Sequence, residues 1–175
     1  MIGIVDYGAS NLLSLRKSLE YLGAECRIIK TRNDFNGIKR LILPGVGAFQ
    51  TAINNLRSCE MEDIVHNWII DNKPFFGICL GLQILFEASE EARGVKGFGI
   101  FKGQSIAFKE HKIPQIGWNR LNIRCKSKIL NKIKDHSFFY FLHSYYVKPE
   151  DSDLTVATTE YGVEYTSVIE KGNIY

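Results

Sequence analysis

Short apolar runs and helical periods alternate along the first half of the chain. Ile2–Val5 and Cys26–Ile29 are mostly apolar runs bounded by polar residues, which predicts two strands. Between them, leucines recur at positions 12, 15, 19 and 22, the spacing of one face of a helix. Ser10 can cap this helix and Gly23 can end it. The segment therefore predicts a strand, a helix and a second strand.

The same alternation continues as far as residue 87. Arg40–Leu43 predicts a third strand, and the apolar residues 64, 65, 68 and 69 predict one face of a helix. Residues 75–78 (FFGI) predict a fourth strand, and residues 80–87 predict a helix directly after Cys79. Strands that are apolar on both faces, each followed by a helix, are typical of a parallel sheet that is covered on both sides.

The second half of the chain has a different pattern. Shorter apolar segments occur at 105–108, 137–147 and 154–159, with few helical periods between them. We expect further strands here, including antiparallel ones, that extend the same sheet. No repeat, low-complexity tract or linker divides the chain. The predicted fold class is therefore α/β, with three layers, a mostly parallel central sheet flanked by helices and antiparallel strands in the second half, in a single domain over residues 1–175.

Composition and charge narrow the classes of function. Hydrophobic residues make up 45% and charged residues 23%, as in ordinary globular proteins. The net charge is +3, and Lys and Arg are spread along the chain, so we expect no nucleic-acid partner. No apolar run approaches the length of a membrane span, and the N-terminus does not resemble a secretory signal. We therefore expect a cytoplasmic protein with no membrane partner.

The cysteine pattern excludes two kinds of site. Cys26, Cys59, Cys79 and Cys125 form no C-x-x-C pair, and no histidine lies at metal-ligand spacing from any of them. We therefore expect no metal site. A disulfide framework is also not expected in a domain with this much apolar material and no secretory signal.

Residues 77–81 (GICLG) are the most informative segment for chemistry. A buried strand runs directly into Cys79, which is followed directly by a predicted helix, as in the nucleophile elbow G-x-S-x-G. Such a tight turn strains the nucleophile's backbone and leaves room only for glycine nearby. The helix N-terminus is expected to lower the pKa of the thiol and to supply N–H groups for an oxyanion. The alternative is that Cys79 is a small buried apolar residue in a glycine-rich turn.

A second glycine-rich segment, residues 43–48 (LPGVGA), follows the third predicted strand. Loops at the carboxyl ends of parallel strands gather at one edge of the sheet, so we expect this loop beside Cys79. Gly45 and Gly47 can let a backbone N–H turn toward the nucleophile, which suits a second oxyanion donor. The alternative is a plain turn.

These motifs resemble those of a known family. GICLGLQ at 77–83, LPGVGAF at 43–49 and the opening IVDYGASNLLSL resemble class I, triad-type glutamine amidotransferases. KIPQIGWNRL at 112–121 and FYFLHSYYV at 139–147 resemble further segments of that family's glutaminase subunits of imidazole glycerol phosphate synthase. The resemblance implies a flavodoxin-like fold and hydrolysis of glutamine without a cofactor. It also implies that ammonia passes to a cyclase subunit of (β/α)8-barrel type, in a heterodimer that serves histidine biosynthesis.

The resemblance implies roles for individual residues. Cys79 matches the nucleophile that forms a glutamyl thioester, and the backbone N–H groups of Val46 and Leu80 match the oxyanion hole. The residues that match the glutamine-binding site are Gly45, Gly47, Gln83, His143, Ser144 and Tyr145. The residues that match the surface facing the cyclase partner are Asn11, Gln115 and Trp118. The family often has histidine at the position of Gln115, so a paralogous amidotransferase that amidates surface sugars remains an alternative.

The general base of the family is not found in this sequence. In the family, a G-N-I-Y-G strand leads into F-H-P-E-K, which supplies the histidine and its orienting glutamate, whereas this sequence ends at Tyr175. The four histidines, at positions 66, 111, 136 and 143, are expected to have other roles. Two interpretations stay open: a shortened chain of an active enzyme, or a subunit that binds its partner without catalysis.

Overall fold

The computed structural model describes residues 1–8 and 11–175. Ser10, the predicted helix cap, lies outside the described residues. Asn11 is the N-cap residue of the first helix, and its side-chain oxygen accepts a hydrogen bond from the backbone N–H of Ser14 at 3.4 Å. A cap one residue after the predicted position leaves the predicted helix in place.

A four-stranded parallel sheet forms from the first half of the chain. Its strands are β1 (Ile2–Val5), β2 (Cys26–Ile29), β3 (Arg40–Leu43) and β4 (Phe75–Gly77), in the order β2-β1-β3-β4. These strands confirm the four predicted from apolar runs. Residues 173–175 pair with the free edge of β4, where the N–H of Gly77 donates to the carbonyl of Tyr175 at 2.9 Å.

Helices connect the parallel strands. They are α1 (Leu12–Tyr21), a short 3₁₀ helix (Arg32–Phe35), α2 (Phe49–Ser58) and α3 (Glu62–Ile70). Because β2 and β3 lie on opposite sides of β1, right-handed crossovers place α1 on one face of the sheet and α2 with α3 on the other.

The two helical layers are buried to different extents. In α2 and α3 the apolar face is buried, through residues such as Phe49, Leu56 and Val65. No residue of α1 is buried: its predicted apolar face is half-buried, and Leu22, just after its end, is 75% exposed. The core of the molecule therefore lies on the α2–α3 side of the parallel sheet.

The segment after Cys79 differs from the prediction. The predicted helix 80–87 is only one turn long, α4 (Leu80–Gln83), and it is followed by strand β5 (Phe86–Ser89). The helix ends here because residues further along the chain form hydrogen bonds with the backbone of residues 84–87. The N–H of Phe98 donates to the carbonyl of Ile84 at 2.7 Å, and that of Gly97 donates to Glu87 at 3.0 Å. Tertiary pairing thus overrides the local helical pattern.

A second sheet contains most of the remaining strands, so the expectation that they extend the parallel sheet is wrong. Its order is β5-β6-β10-β12-β11-β8. All pairings are antiparallel except β5 with β6. The strands after β5 are β6 (Phe101–Ala107), β8 (Asn122–Ile123), β10 (Tyr145–Pro149), β11 (Thr155–Glu160) and β12 (Glu164–Ile169).

The two remaining strands, β7 and β9, form a separate two-stranded sheet. β7 (Gln115–Arg120) pairs antiparallel with β9 (Phe138–His143), and Trp118 lies opposite Tyr140. We call this pair of strands the ribbon.

One hydrophobic core joins the two larger sheets. It contains residues of the parallel sheet, such as Leu43 and Phe75, and residues of the second sheet, such as Phe86, Val147 and Ile169. The α4 turn contacts β4 of the parallel sheet and β5 and β10 of the second sheet, so Cys79 at its start lies where the two sheets meet. Within the part of the chain that the structure describes, no helix is long and apolar enough to cross a membrane.

Candidate active site

Cys79 lies at the sharpest turn of the parallel sheet. It follows β4 directly and is the N-cap of α4, with φ +55° and ψ −107°. A non-glycine residue with this backbone conformation is strained, and such strain persists only where the surroundings impose it. The N–H of Ile78 donates to the carbonyl of Leu43 at 3.0 Å, which ties the turn to β3.

Glycines allow this turn to approach β3. A Cβ atom on Gly77 would lie 2.7 Å from the carbonyl oxygen of Gly81. A Cβ atom on Gly81 would collide with the carbonyl oxygen of Leu43. Both contacts are with backbone, which cannot move aside as a flexible side chain can. The predicted reason for the two glycines of GICLG is therefore confirmed by the packing.

The glycine loop, residues 44–48, lies against the start of α4. A Cβ atom on Gly45 would lie 2.8 Å from the Cβ of Leu80, so the loop and the turn are in contact as predicted from strand order. Gly47 has φ +97°, and the Val46 side chain is exposed. The Val46 N–H has no hydrogen-bond partner among the described residues. An unpaired N–H beside a nucleophile can stabilise an oxyanion.

Two residues that hold the glycine loop were not predicted as site residues. The hydroxyl of Tyr7 donates to the carbonyl of Pro44 at 2.8 Å, and the N–H of Phe49 donates to the carboxylate of Glu91 at 2.9 Å. Tyr7 could have been found, because it lies two residues after the end of β1 and thus at the same edge of the sheet. Nothing in the pattern around Glu91 indicates its contact with the loop.

The pKa of the Cys79 thiol differs from the prediction. Part of the side-chain surface is open to solvent, yet the protein atoms around the sulfur desolvate it, and this burial raises its pKa. The backbone N–H of Leu80 acts in the opposite direction but is the smaller effect. A helix of one turn contributes little dipole. The protonated thiol is therefore favoured over the thiolate at neutral pH.

Gln83 lies one turn after Cys79, and its N–H donates to the carbonyl of Cys79 at 3.1 Å. Its side chain is buried, and its Oε1 has no hydrogen-bond partner among the described residues. A buried amide oxygen without a partner costs about 1–3 kcal/mol. Such unpaired groups are rare and are often found where a ligand or water binds.

Residues 143–145 lie where the ribbon passes into the second sheet, and β10 packs against α4. The His143 ring is half-buried beside Phe108 and Tyr165. Its Nδ1 is 2.8 Å from the carbonyl of Tyr145, and burial lowers its pKa. The ring is therefore neutral at physiological pH and holds the turn between β9 and β10, while Ser144 lies at the turn itself.

Each histidine has a partner away from Cys79. His66 packs edge-on against Phe98, and His111 packs against Tyr161. His136 Nδ1 is 3.0 Å from Asn122 Oδ1. Among the described residues, no hydrogen bond joins a histidine to Cys79.

The three predicted interface residues are in different environments. Trp118 is 70% exposed on the outer face of the ribbon, and Asn11 is exposed at the start of α1. Gln115 is only 3% exposed, and its Oε1 accepts a hydrogen bond from the Tyr165 hydroxyl at 2.9 Å. The Gln115 side chain therefore faces the interior, and its contact with a partner stays a prediction. Side chains alternate between the two faces of a strand. Gln115 and Trp118 are three residues apart on β7, so they lie on opposite faces, Gln115 inward and Trp118 outward.

A cavity elsewhere on the described surface contains none of the predicted site residues. A cavity of 440 Å³ is lined by His111, Asn119, Arg120, Asn122, His136, Glu160, Tyr161 and Gly162. None of them is a predicted site residue. Within the described ranges, no group of three or more His, Cys, Asp or Glu residues is placed to bind a metal ion.

The fold and the turn at Cys79 define a class of protein. A cysteine at the carboxyl end of a parallel strand, in a strained turn beside a glycine-rich loop, is the arrangement that an α/β enzyme with a nucleophilic thiol uses. The profile of "Glutamine amidotransferase class-I" matches residues 3–175. The chain belongs to the class-I glutamine amidotransferase family.

Relatives and solved structures agree with this assignment. The chain is 46% identical to "Imidazole glycerol phosphate synthase subunit HisH" of Methanocaldococcus jannaschii, covering 100% of this chain and 88% of the relative. It is 44% identical to the protein of the same name from Caldanaerobacter subterraneus, with coverages of 100% and 87%.

Two solved structures share the fold at low sequence identity. One, a crystal structure of a glutamine amidotransferase, has a TM-score of 0.77 at 16% identity and covers 99% of this chain and 86% of that one. A glutamine amidotransferase from Thermotoga maritima has a TM-score of 0.71 at 13% identity, with coverages of 99% and 72%. At these identities the similarity shows the fold alone.

The packing of the turn predicts the effect of Gly81→Ala. The added Cβ would collide with the backbone of Leu43, so we expect a loss of about 3 kcal/mol or more in the free energy of unfolding, measured by urea denaturation. The control is Gly23→Ala, where φ is +73° and the space is open, and about 1–2 kcal/mol is expected. Equal losses in the two variants would contradict the packing argument.

The raised pKa of Cys79 predicts the pH dependence of its alkylation. Since only the thiolate reacts, the rate with iodoacetamide should reach half its maximum above pH 8.5, the approximate pKa of an unperturbed cysteine. Peptide mass spectrometry separates Cys79 from the other three cysteines, and Cys79→Ser removes its signal. A midpoint below that of free cysteine would mean that the Leu80 N–H outweighs burial.

Proposed function

We propose that this protein is the glutaminase subunit of an imidazole glycerol phosphate synthase, which hydrolyses glutamine at Cys79 and passes ammonia to a cyclase subunit in histidine biosynthesis. The observation that carries the proposal is the strained Cys79 turn in contact with the glycine loop. The pathway is supported by relatives at 36–46% identity that share the name of that synthase subunit.

The extent and location of the protein form part of the proposal. Because one core joins the two larger sheets, we propose that residues 1–175 belong to a single amidotransferase domain. Its four cysteines are free, as is usual in the reducing cytoplasm, where we propose that it acts.

The proposed reaction has two steps. The sulfur of Cys79 attacks the carbon of the glutamine side-chain amide, an S–C bond forms, and the C–N bond breaks as the nitrogen receives the proton that a base took from the thiol. Water then adds to the thioester, the S–C bond breaks, and glutamate and the thiol are released. The N–H groups of Val46 and Leu80 would stabilise the oxyanion in both steps.

The geometry of the sheet supports a histidine base in the position that the family uses. In the family, the segment F-H-P-E-K follows the strand G-N-I-Y-G, which matches residues 172–175 of this chain. Residues 173–175 run beside β4, and the carbonyl of Tyr175 accepts the N–H of Gly77, two residues before Cys79. A strand with this direction leads to the edge of the sheet where Cys79 lies. Assays of catalysis therefore use a chain that includes the family's segment.

The proposed glutamine-binding residues surround the same edge. Gly45 and Gly47 shape the loop on one side of Cys79, and the buried Oε1 of Gln83 offers an acceptor on the other. The backbone of Ser144 and Tyr145 would bind the α-amino and carboxylate groups of glutamine. The His143 ring would hold that backbone, because its Nδ1 already pairs with the carbonyl of Tyr145.

The outer face of the ribbon supports a protein partner. Five large apolar residues are exposed there: two cross-strand pairs, Ile116 with Leu142 and Trp118 with Tyr140, and Phe138 beside them. The Trp118 and Tyr140 rings pack edge to face at 5.7 Å. Contiguous exposed apolar surface of this kind usually marks an interaction site. We propose that a cyclase subunit of (β/α)8-barrel type docks here, with Asn11 in a further contact.

The position of the ribbon supports control of catalysis by the partner. Strand β9 carries Tyr140 and Leu142 on the proposed docking face and ends at His143, beside the glutamine-binding segment. A partner that orders this strand would also order residues 143–145. We therefore expect glutaminase activity to be weak in the isolated subunit and stimulated by the cyclase and its ligand.

The surface-sugar paralogue is an alternative for the pathway alone. The reason for this alternative is Gln115, at a position where the family often has histidine. The Gln115 side chain is buried against Tyr165 and is therefore not part of the exposed face of the ribbon. Complementation of a histidine auxotroph by the chain with the family's histidine segment separates the two pathways, because a sugar-amidating paralogue would not restore growth.

The proposed function predicts the behaviour of Cys79→Ala. With the family's histidine segment, the cyclase and the cyclase's ligand present, the wild-type chain should release glutamate from glutamine. Cys79→Ala should lower that rate by about 10⁴-fold or more, because the nucleophile is lost. The control is Cys125→Ala, which removes an exposed cysteine outside the site. No glutamate release by the wild-type complex would reject the proposed function.

The proposed docking face predicts the effect of Trp118→Ala on assembly. We expect the Kd for the cyclase, measured by calorimetry, to rise about 30-fold, since a central exposed tryptophan at an interface commonly contributes about 2 kcal/mol. Tyr21→Ala is the matched control, because Tyr21 is an aromatic residue 91% exposed at the far end of α1. If both substitutions leave the Kd unchanged, the partner binds elsewhere.

A further inference from the structure

Tyr7 lies where the loops after β1 and β3 separate. With the strand order β2-β1-β3-β4, the chain leaves β1 toward one face of the sheet and leaves β3 toward the other. Such a switch point opens a crevice at the carboxyl ends of the strands. Tyr7 follows β1 and Pro44 follows β3, so the two residues stand on opposite sides of this crevice.

A buried hydrogen bond joins the two sides. The hydroxyl of Tyr7 donates to the carbonyl of Pro44 at 2.8 Å, and Tyr7 is 4% exposed. The Pro44 carbonyl and the Gly45 N–H belong to one peptide group, so this bond fixes the plane of that group. The next peptide group carries the Val46 N–H, the proposed oxyanion donor.

Gly45 packs against both Tyr7 and Leu80, the residue that follows Cys79. A Cβ atom on Gly45 would lie 2.5 Å from the Tyr7 hydroxyl oxygen and 2.8 Å from the Cβ of Leu80. The glycine is therefore packed between the tyrosine and the residue that follows Cys79. A shift of the loop in either direction would break one of these two contacts.

The other end of the glycine loop is fixed independently. The N–H of Phe49, the first residue of α2, donates to the Glu91 carboxylate at 2.9 Å. Between the two fixed ends, Gly47 has a left-handed φ of +97°. The orientation of the Val46 N–H thus depends on the anchors at the two ends, and Tyr7 is the anchor nearer to Cys79.

The ionisation of Tyr7 suits a hydrogen-bond donor. Burial raises the pKa of its phenol, and the charge of a Cys79 thiolate would raise it further. The phenol therefore stays protonated at neutral pH, and its hydroxyl can donate to Pro44.

We propose that Tyr7 is a positioning residue for glutamine hydrolysis: by holding the Pro44 carbonyl, it keeps the Val46 N–H directed at the oxyanion that forms beside Cys79. It does not contact the glutamine and does not transfer a proton. This inference rests on the proposed function, and the tests below separate the two.

Kinetics of Tyr7→Phe test the proposal in the complex with cyclase, using the chain that includes the family's histidine segment. Loss of a direct oxyanion donor typically lowers kcat about 10²–10³-fold, so loss of its support should lower kcat by about tenfold. The KM for glutamine should change less than about twofold, because the residues that bind the substrate are not altered. Replacing Tyr7 by 3-fluorotyrosine, which keeps the hydroxyl, should restore the wild-type kcat.

Two covalent probes separate positioning from a general structural role. Diazo-oxo-norleucine places a ketone where the glutamine amide carbonyl would lie, and Tyr7→Phe should slow its reaction with Cys79 by about the same factor as kcat. Iodoacetamide needs no oxyanion hole, so its rate with Cys79 should not change. Tyr161→Phe is the matched control, because it removes a tyrosine-to-carbonyl hydrogen bond, to Lys112 at 2.6 Å, outside the site.

The outcomes are distinct. If the wild-type complex hydrolyses glutamine and Tyr7→Phe has wild-type kcat and wild-type reaction with the diazoketone, the inference is overturned while the proposed function stands. If Tyr7→Phe is unfolded, or loses reactivity toward iodoacetamide as well, Tyr7 has a structural role and the inference is also overturned. An inactive wild-type complex would reject the proposed function itself.

Discussion

The close approach of the Cys79 turn to β3 is the constraint on which the rest of the site depends. The N–H of Ile78 pairs with the carbonyl of Leu43, and Gly81 packs directly on the same carbonyl. This contact brings the end of β4 against the end of β3, so Cys79 and the glycine loop share one edge of the sheet. The left-handed backbone at Cys79 is imposed by the same contact. The same contact lets Gly45 of the glycine loop pack against Leu80, the residue that follows Cys79.

Local pattern was sufficient to predict the parallel sheet and the sharp turn at Cys79. The four strands are short apolar runs, and each pairs with neighbours that follow from the βαβ rule. The turn at Cys79 could be predicted because its glycines satisfy a steric requirement that acts within five residues. The glycine loop could be placed beside it because parallel strands end at one edge.

Long-range contacts explain what the pattern did not predict. Residues 84–87 belong to the predicted helix, yet residues 97–101 form hydrogen bonds with the backbone of this segment, which becomes strand β5. Gln115 lies in a segment with an exposed tryptophan, but its own side chain faces Tyr165. The pKa of Cys79 depends on the atoms that surround the sulfur in three dimensions. Each of these features is decided by residues far away in the sequence.

Strand β9 connects the exposed face of the ribbon with the buried residues around Tyr165. Its outward residues, Tyr140 and Leu142, are exposed, while its inward residues, Phe141 and His143, pack against Tyr165. Tyr165 in turn binds Gln115 of β7, so both strands of the ribbon are tied to one buried hydroxyl. A rotation of the ribbon would therefore change the inner contacts of His143, which holds the turn before β10. Since β10 packs against α4, continuous packing runs from the exposed face of the ribbon to the turn that carries Cys79.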